Sequence, residues 1–352
     1  MTLRSRAVMA STALAGLALA APAAAQSLNA LVWCDHADPE LIRPFEEAHG
    51  VRVNLREYEG TAAGLAILDQ SRPGDWDVLV IDAVDVGRAV DLGLLAPLPA
   101  DALPTGDFFP DLVMEDLNTR DGQVFAVTEK FGYNTVSFNR AAVDADAMAD
   151  MNSLFSGDFT GRIAIYDYYL PVLGMLALNE GIATADLDAE ALERLRGPLM
   201  ALRAEARLVG EVVASQTALA TGEVDIVVGG GEWLTAVLAE ENPDLDWTIP
   251  EQGALLWAQS IAVLADSANP DLALEFVKYI VSPEGQARLA TSSCYWGMPA
   301  NAAAAGHLSD EERAILRWDQ QPEFLARAQR YPVPDADLDA AMQDLWIDML
   351  QQ

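Results

Sequence analysis

Apolar positions along this chain fall into short runs separated by polar, turn-forming residues, and the spacing within the runs is informative. Residues 8–20 are almost unbroken Ala, Leu, Val, Met and Gly, interrupted only by Ser11 and Thr12, with no polar face. Residues 28–33 read as a first strand. Asp38 and Pro39 then mark a helix start, as N-cap and first-turn residue, with Leu41, Ile42 and Phe45 at helical spacing and Gly50 closing the element. Val51, Val53 and Leu55 alternate with polar residues as a second strand, and the run DVLVI at 77–81 is a short buried strand before a helix over 84–92. A second set follows: a strand over 162–166, helices over 170–178 and 189–206, and a strand over 225–228. Alternation of this kind predicts doubly wound α/β units around a parallel sheet. No later apolar run approaches the length of a membrane span, the longest being 170–178.

The first 26 residues have a different purpose. Arg4 and Arg6 precede the apolar run, Pro22 breaks it, and Ala23-Ala24-Ala25 supplies small residues for a signal peptidase. Export to the periplasm with cleavage near Ala25/Gln26 is the expectation, leaving about 327 residues, enough for two medium domains. The formal charge is −33, and becomes −35 without Arg4 and Arg6, with 19 basic against 54 acidic residues. Such a surface repels nucleic acid and anionic membranes and attracts cations. Cys34 and Cys294 are a pair in an exported chain, which invites a disulfide if the fold brings them together. CxxC spacing is absent, and His36, His49 and His307 are scattered, so no metal site is expected. Gly229-Gly230-Gly231 lacks the lysine of a phosphate loop and reads as a tight turn with a close backbone approach. Neither GxSxG nor HExxH occurs, and neither an enzyme nor a cofactor is expected.

Ligands of open α/β sheets bind beyond the carboxyl ends of the strands. Those positions hold Trp33, Cys34, Asp35 and His36 after the first strand, and Asp82 to Asp85 after DVLVI. Asp167, Tyr168 and Tyr169 follow residue 166, and Glu232 and Trp233 follow the glycine triplet. A later apolar segment, 253–260, contributes Trp257 and Gln259. Aromatic and acidic residues recur together, which is what an organic cation requires: ring faces attract ammonium groups and carboxylates pair with them.

The order of landmarks then resembles a known family. PELIRPFEEAHGVRVNLREYEG (39–60), WDVLVIDAVDVGRAVDLGLLAPL (76–98), VTEKFGYNTVSFN (127–139), PEQGALLWAQSIAVLADSANPDLALEFVKYIVSPEGQARLA (250–290) and YWGMPANAAA (295–304) occur in sequence. Together they resemble the spermidine/putrescine-binding branch of the periplasmic substrate-binding proteins of ABC transporters. The resemblance implies two doubly wound α/β lobes joined by crossover segments, with a ligand cleft between them. Residues 1–25 would be the signal peptide, 26–130 with 250–303 the first lobe, and 131–249 with 304–352 the second. A monomeric receptor would capture a polyamine or related small organic cation by hinge closure and deliver it to an inner-membrane permease. Trp33 and Trp257 match aromatic positions of the family and Trp296 falls near a third. Gln259 stands where an acid is frequent, and Tyr168 and Pro171 replace an acidic pair, with Asp167 one step earlier. Gly230 replaces a tryptophan, Asp82 a small polar residue and His36 an aromatic one. The implied ligand set is Trp33, Asp35, His36, Asp82, Asp85, Asp167, Tyr168, Glu232, Trp257, Gln259 and Trp296. The same architecture could instead serve an amino-acid derivative, an opine-like compound or a sugar, and the second alternative is a secreted enzyme with a bilobed fold. With Cys34 at a strand end and Cys294 before the closing loop of the same lobe, a Cys34–Cys294 disulfide is expected.

Overall fold

A computed structural model of the protein describes residues 26–239 and 241–352; the expected signal peptide and its cleavage point lie outside the described residues. The strands that frame the molecule are β1 (Ser27–Val32), β2 (Arg52–Glu57), β3 (Val78–Asp82), β4 (Ala126–Asn139), β5 (Ile163–Tyr166), β6 (Ala206–Gly210), β7 (Ile226–Gly230), β8 (Leu245–Thr248), β9 (Ala254–Val263) and β10 (Ala328–Arg330). They hydrogen-bond in the order β2-β1-β3-β9-β4-β7-β5-β6, with β8 also on β4 and β10 on β9.

The first lobe is built on β2, β1 and β3, which are parallel, as their helical connections require. Strict alternation shares their side chains between two apolar layers. Leu28, Ala30, Val32, Val78 and Val80 join one, and Leu31, Leu79 and Ile81 the other. The helix Pro39–His49 covers the first layer with Leu41, Ile42 and Phe45; Asp38 accepts the N–H of Glu40, and Gly50 ends the helix at φ 66°. In the second lobe β5, β6 and β7 are parallel, and the fully apolar middle of the helix Tyr169–Asn179 is buried against them. The sheets are mixed rather than wholly parallel. β4 and β9 pass between the lobes, and β9 is antiparallel to β3, β4 to β9, and β7 to β4.

β4 carries the change of lobe. Its first part, up to Asn134, pairs with β9, and from Thr135 it pairs with β7. The glycine triplet permits this meeting: a Cβ on Gly231 would lie 2.0 Å from the Tyr133 carbonyl oxygen, and one on Gly230 2.5 Å from Ser137 Oγ. The expected assignment of all of 304–352 to the second lobe differs from the packing. Leu308, Leu316 and Phe324 belong to the first lobe's core, whereas Met342, Leu345, Trp346 and Met349 belong to the second's. The chain therefore crosses a third time, through β10 and Tyr331. Cys34 and Cys294 form a disulfide with Cα atoms 5.9 Å apart, joining the end of β1 to a loop 260 residues later.

Candidate functional site

Where the strands of the two lobes end against each other, a cavity of about 490 Å³ opens. Its walls carry Trp33 after β1, Glu57, Tyr58 and Glu59 at the end of β2, and Asp82 at the end of β3. The second lobe supplies Tyr166, Asp167 and Tyr168 from β5, Glu211 after β6 and Trp233 after β7. Asn134, Trp257 and Tyr331 come from the three crossing segments, and Tyr295 and Cys34 complete the wall beside the disulfide. Eight aromatic rings and five carboxylates line this space, and no Lys, Arg or His does.

Beneath the wall lies a network of side chains with no solvent access. Asp35 Oδ1 meets His36 Nδ1 at 2.9 Å, and His36 Nε2 is 3.2 Å from Glu129 Oε1. Lys130 Nζ is 2.6 Å from Asp35 Oδ2 and 4.0 Å from the ring centroid of Tyr295. Gln259 Nε2 donates to Asp35 at 2.9 Å and to Glu129 at 3.0 Å, and its Oε1 accepts from the Tyr295 hydroxyl at 2.9 Å. A register shift between β4 and β9 makes this possible. Gln259 pairs with Lys130 and Ser260 with Thr128, leaving Glu129 unpaired, so consecutive residues Glu129 and Lys130 both reach the same cluster. Burial favours a neutral His36, but Glu129 and Asp35 outweigh it and lift its pKa to about 9. Burial likewise acts to raise Asp35, yet Lys130 and His36 hold it well below the usual carboxylate range.

This arrangement corrects part of the expected ligand set. Asp35, His36 and Gln259 follow or sit within the right strands but are spent on one another, entirely buried, behind the cavity. Glu232 is also behind it. Its carboxylate accepts the Tyr133 N–H at 2.9 Å, where β4 changes partner, and occupies space that exists because residue 132 is glycine. Burial pushes Glu232 up to about 8. Trp296 packs against the first lobe's core, and Asp85 sits just beyond Asp82 without reaching the wall. Trp33, Asp82, Asp167, Tyr168 and Trp257 do line the cavity. Glu59, Tyr166, Glu211 and Tyr331 line it too and were not among the expected residues. Glu59 follows an alternating strand and was accessible to the strand-end rule, whereas β6 begins directly after the helix Ala189–Glu205 with no turn residue between them, which hides Glu211.

The lobes touch across the cavity. Tyr168 of the second lobe donates its hydroxyl to Asp82 Oδ2 at 2.9 Å, and the Val212 N–H donates to Glu59 Oε1 at 3.4 Å. Asp82 is only 5 % exposed, and burial, then Asp85, pushes its pKa up to about 7. Among the described residues no cluster of three His, Cys, Asp or Glu is arranged to hold a metal ion, and no helix is long and apolar enough to cross a membrane.

Two α/β lobes, three crossing segments and a lined cavity at their junction define a solute-binding protein. The chain belongs to the bacterial extracellular solute-binding proteins, whose family model matches residues 40–315. It is 26% identical over 302 residues to the putrescine/agmatine-binding protein of Pseudomonas aeruginosa, spanning 80% of each chain. The spermidine/putrescine ABC transporter substrate-binding protein of Streptococcus pneumoniae superposes with a TM-score of 0.77 at 20% identity, covering 93% of this chain and 99% of that one. A binding protein of A. tumefaciens in complex with glucopine superposes at 0.72 and 17% identity, covering 93% and 99%. By that family membership the protein is a solute-binding protein rather than an enzyme.

Two outcomes follow for stability. Lys130→Met leaves Asp35 without its closest cation, and denaturant unfolding at pH 7 should show a loss of about 3–5 kcal/mol; a loss below about 1 kcal/mol would remove Lys130 from the network's energetics. Asp82, with a folded pKa near 7 against an ordinary carboxylate value when unfolded, is a group whose proton the folded state retains. Its contribution to stability therefore declines as pH rises from about 4 to about 7. Asp82→Asn should melt higher than wild type at pH 8 and converge with it at pH 4; equal melting curves at pH 8 would contradict the assignment.

Proposed function

We propose that this protein is a periplasmic receptor that captures a polyamine, or a related small organic cation, and delivers it to an inner-membrane ABC permease. The observation that carries the reading is the composition of the cavity: eight aromatic rings, five carboxylates and no cationic side chain. An ammonium group entering it exchanges water for ring faces and carboxylate oxygens, each cation–π contact being worth about 2 kcal/mol when desolvated. An anion would meet an uncompensated negative field. Asp82, Tyr168, Trp33 and Trp257 are the ligand contacts in this reading, with Asp167 at the rim. Because both lobes contribute walls, a ligand that touches both favours the closed arrangement, in which Tyr168 and Asp82 are in contact. The receptor acts as a monomer in the periplasm after removal of the leader near Ala25/Gln26. The family's extracellular character and the names of the polyamine-binding relatives support this reading.

A second reading keeps the receptor and changes the solute. It is favoured by Gln259 standing where an acid is frequent in the polyamine branch, and by the glucopine complex of a structural neighbour. A zwitterionic opine-like compound would have to place its carboxylate among five others. The cation reading is therefore preferred.

A thermal-shift series with putrescine, spermidine, a quaternary amine, amino acids, an opine and sugars separates the two. Amines should raise the melting temperature of the wild type, and Trp257→Ala should weaken the amine by about tenfold or more. A shift with an opine or sugar and none with any amine would replace the first reading by the second.

A further inference from the structure

The disulfide stands at the junction of the lobes rather than within one core. A chain of this length buries enough apolar surface to fold without a covalent staple, which small secreted domains need. Its position points to a second task. Trp33 immediately precedes Cys34 and Tyr295 immediately follows Cys294, so the bond ties together the backbones of two cavity rings. Asp38 Oδ2 accepts the Ser293 N–H at 2.9 Å and Lys130 Nζ donates to the Tyr295 carbonyl at 3.3 Å, which fixes the loop carrying Cys294 to the first lobe. Both half-cystines nevertheless pack against the apolar cluster of the second lobe. The helix Val212–Ala220 of that lobe adds a polar contact beside them: Gln216 Nε2 donates to the Cys294 carbonyl at 3.0 Å. Gln216 lies outside the cavity wall.

We propose that Gln216 and the Cys34–Cys294 disulfide form a latch between the lobes that sets how long the closed receptor keeps its solute. This rests on the reading that capture closes the two lobes. The disulfide pins the Cys294 carbonyl to the end of β1, and the Gln216 amide meets it only when the lobes are together. Tyr168 and Asp82 meet inside the cavity, where a solute can replace one partner for the other. The latch makes its contact behind the wall, so its strength is the same for every ligand. It shifts the balance between open and closed forms, and with it every apparent affinity by one common factor. Opening has to break it, so that factor falls on the rate of release. Without the S–S bond the acceptor moves with its loop, and Gln216 loses a fixed partner.

The test is stopped-flow binding and release of putrescine and spermidine by wild type, Gln216→Ala, the double variant Cys34→Ala/Cys294→Ala and the triple combination, with melting of the unliganded proteins as the check on folding. Gln216→Ala should speed release of both amines by about fivefold, the share of one neutral hydrogen bond, and leave association and the preference between the amines unchanged. The disulfide-free variant should speed release by about tenfold or more, and adding Gln216→Ala to it should change little, because the two act through one contact. Wild-type release rates in Gln216→Ala overturn the latch, as does a changed preference between the amines. Effects of the two changes that multiply overturn the disulfide's part in it. Should the disulfide-free chain fail to fold, Gln216→Ala alone still decides the latch. If neither amine binds the wild type, the cation reading fails, and the same release measurement with the opine or sugar of the thermal-shift series decides the latch, whose effect does not depend on the solute.

Discussion

Two acids and two bases without access to water set the floor on which the rest of the cleft is built. Asp35, His36, Glu129 and Lys130 balance one another's charge, and Gln259 and Tyr295 complete their hydrogen bonds. An unpaired charge at this depth would be prohibitive, so the four are placed together or not at all. The six residues come from four parts of the chain: the segment after β1, the crossover strand β4, the return strand β9, and the loop tied down by the disulfide. The β4 bulge is the local device that lets it happen, because adjacent residues on a regular strand could not both face the same cluster. Trp33 lies two residues before Asp35, Trp257 two before Gln259, and Tyr295 is itself a member. Three of the cavity's rings are therefore positioned by a neutralised core rather than by flexible loops.

Above this floor the electrostatic logic reverses. The network is balanced, whereas the cavity is not: its carboxylates have no protein cation to pair with. Asp82 illustrates the consequence. Burial and the neighbouring Asp85 make its ionised form unfavourable, whereas the Tyr168 hydroxyl and an incoming cation favour it. A site that is destabilising when empty and stabilised by a positive charge is suited to coupling ligand entry with closure. The charge of −33 spread over the molecule need not be read the same way, since most of it is solvated surface.

Much of the frame was legible in the chain. Alternation in 51–55, the apolar run at 77–81, and the Asp38-Pro39 and Gly50 boundaries are local signals, and local hydrogen bonding and burial decide them. The disulfide followed once the resemblance assigned Cys34 and Cys294 to the same lobe. The site was only half legible, for a specific reason. A strand-end rule identifies which residues are near a cleft but not which way they turn. Asp35 and Gln259 turn inward to meet Glu129 and Lys130, which reach one cluster only through a bulge between two strands some 130 residues apart in sequence, and no local pattern encodes that. Tyr331 reaches the cavity from a segment whose course depends on which core Leu316 and Phe324 join. Glu211 follows a strand that continues without a break from the preceding helix.

The central claim is that the aromatic and acidic cavity between the lobes holds an organic cation. A crystal structure of the protein grown with putrescine tests it most directly. The account predicts one molecule in the cavity, with an ammonium nitrogen within hydrogen-bond distance of Asp82 and ring faces of Trp33 and Trp257 along its chain. An empty cavity at saturating amine, or an anionic or uncharged solute bound there in its place, would contradict it.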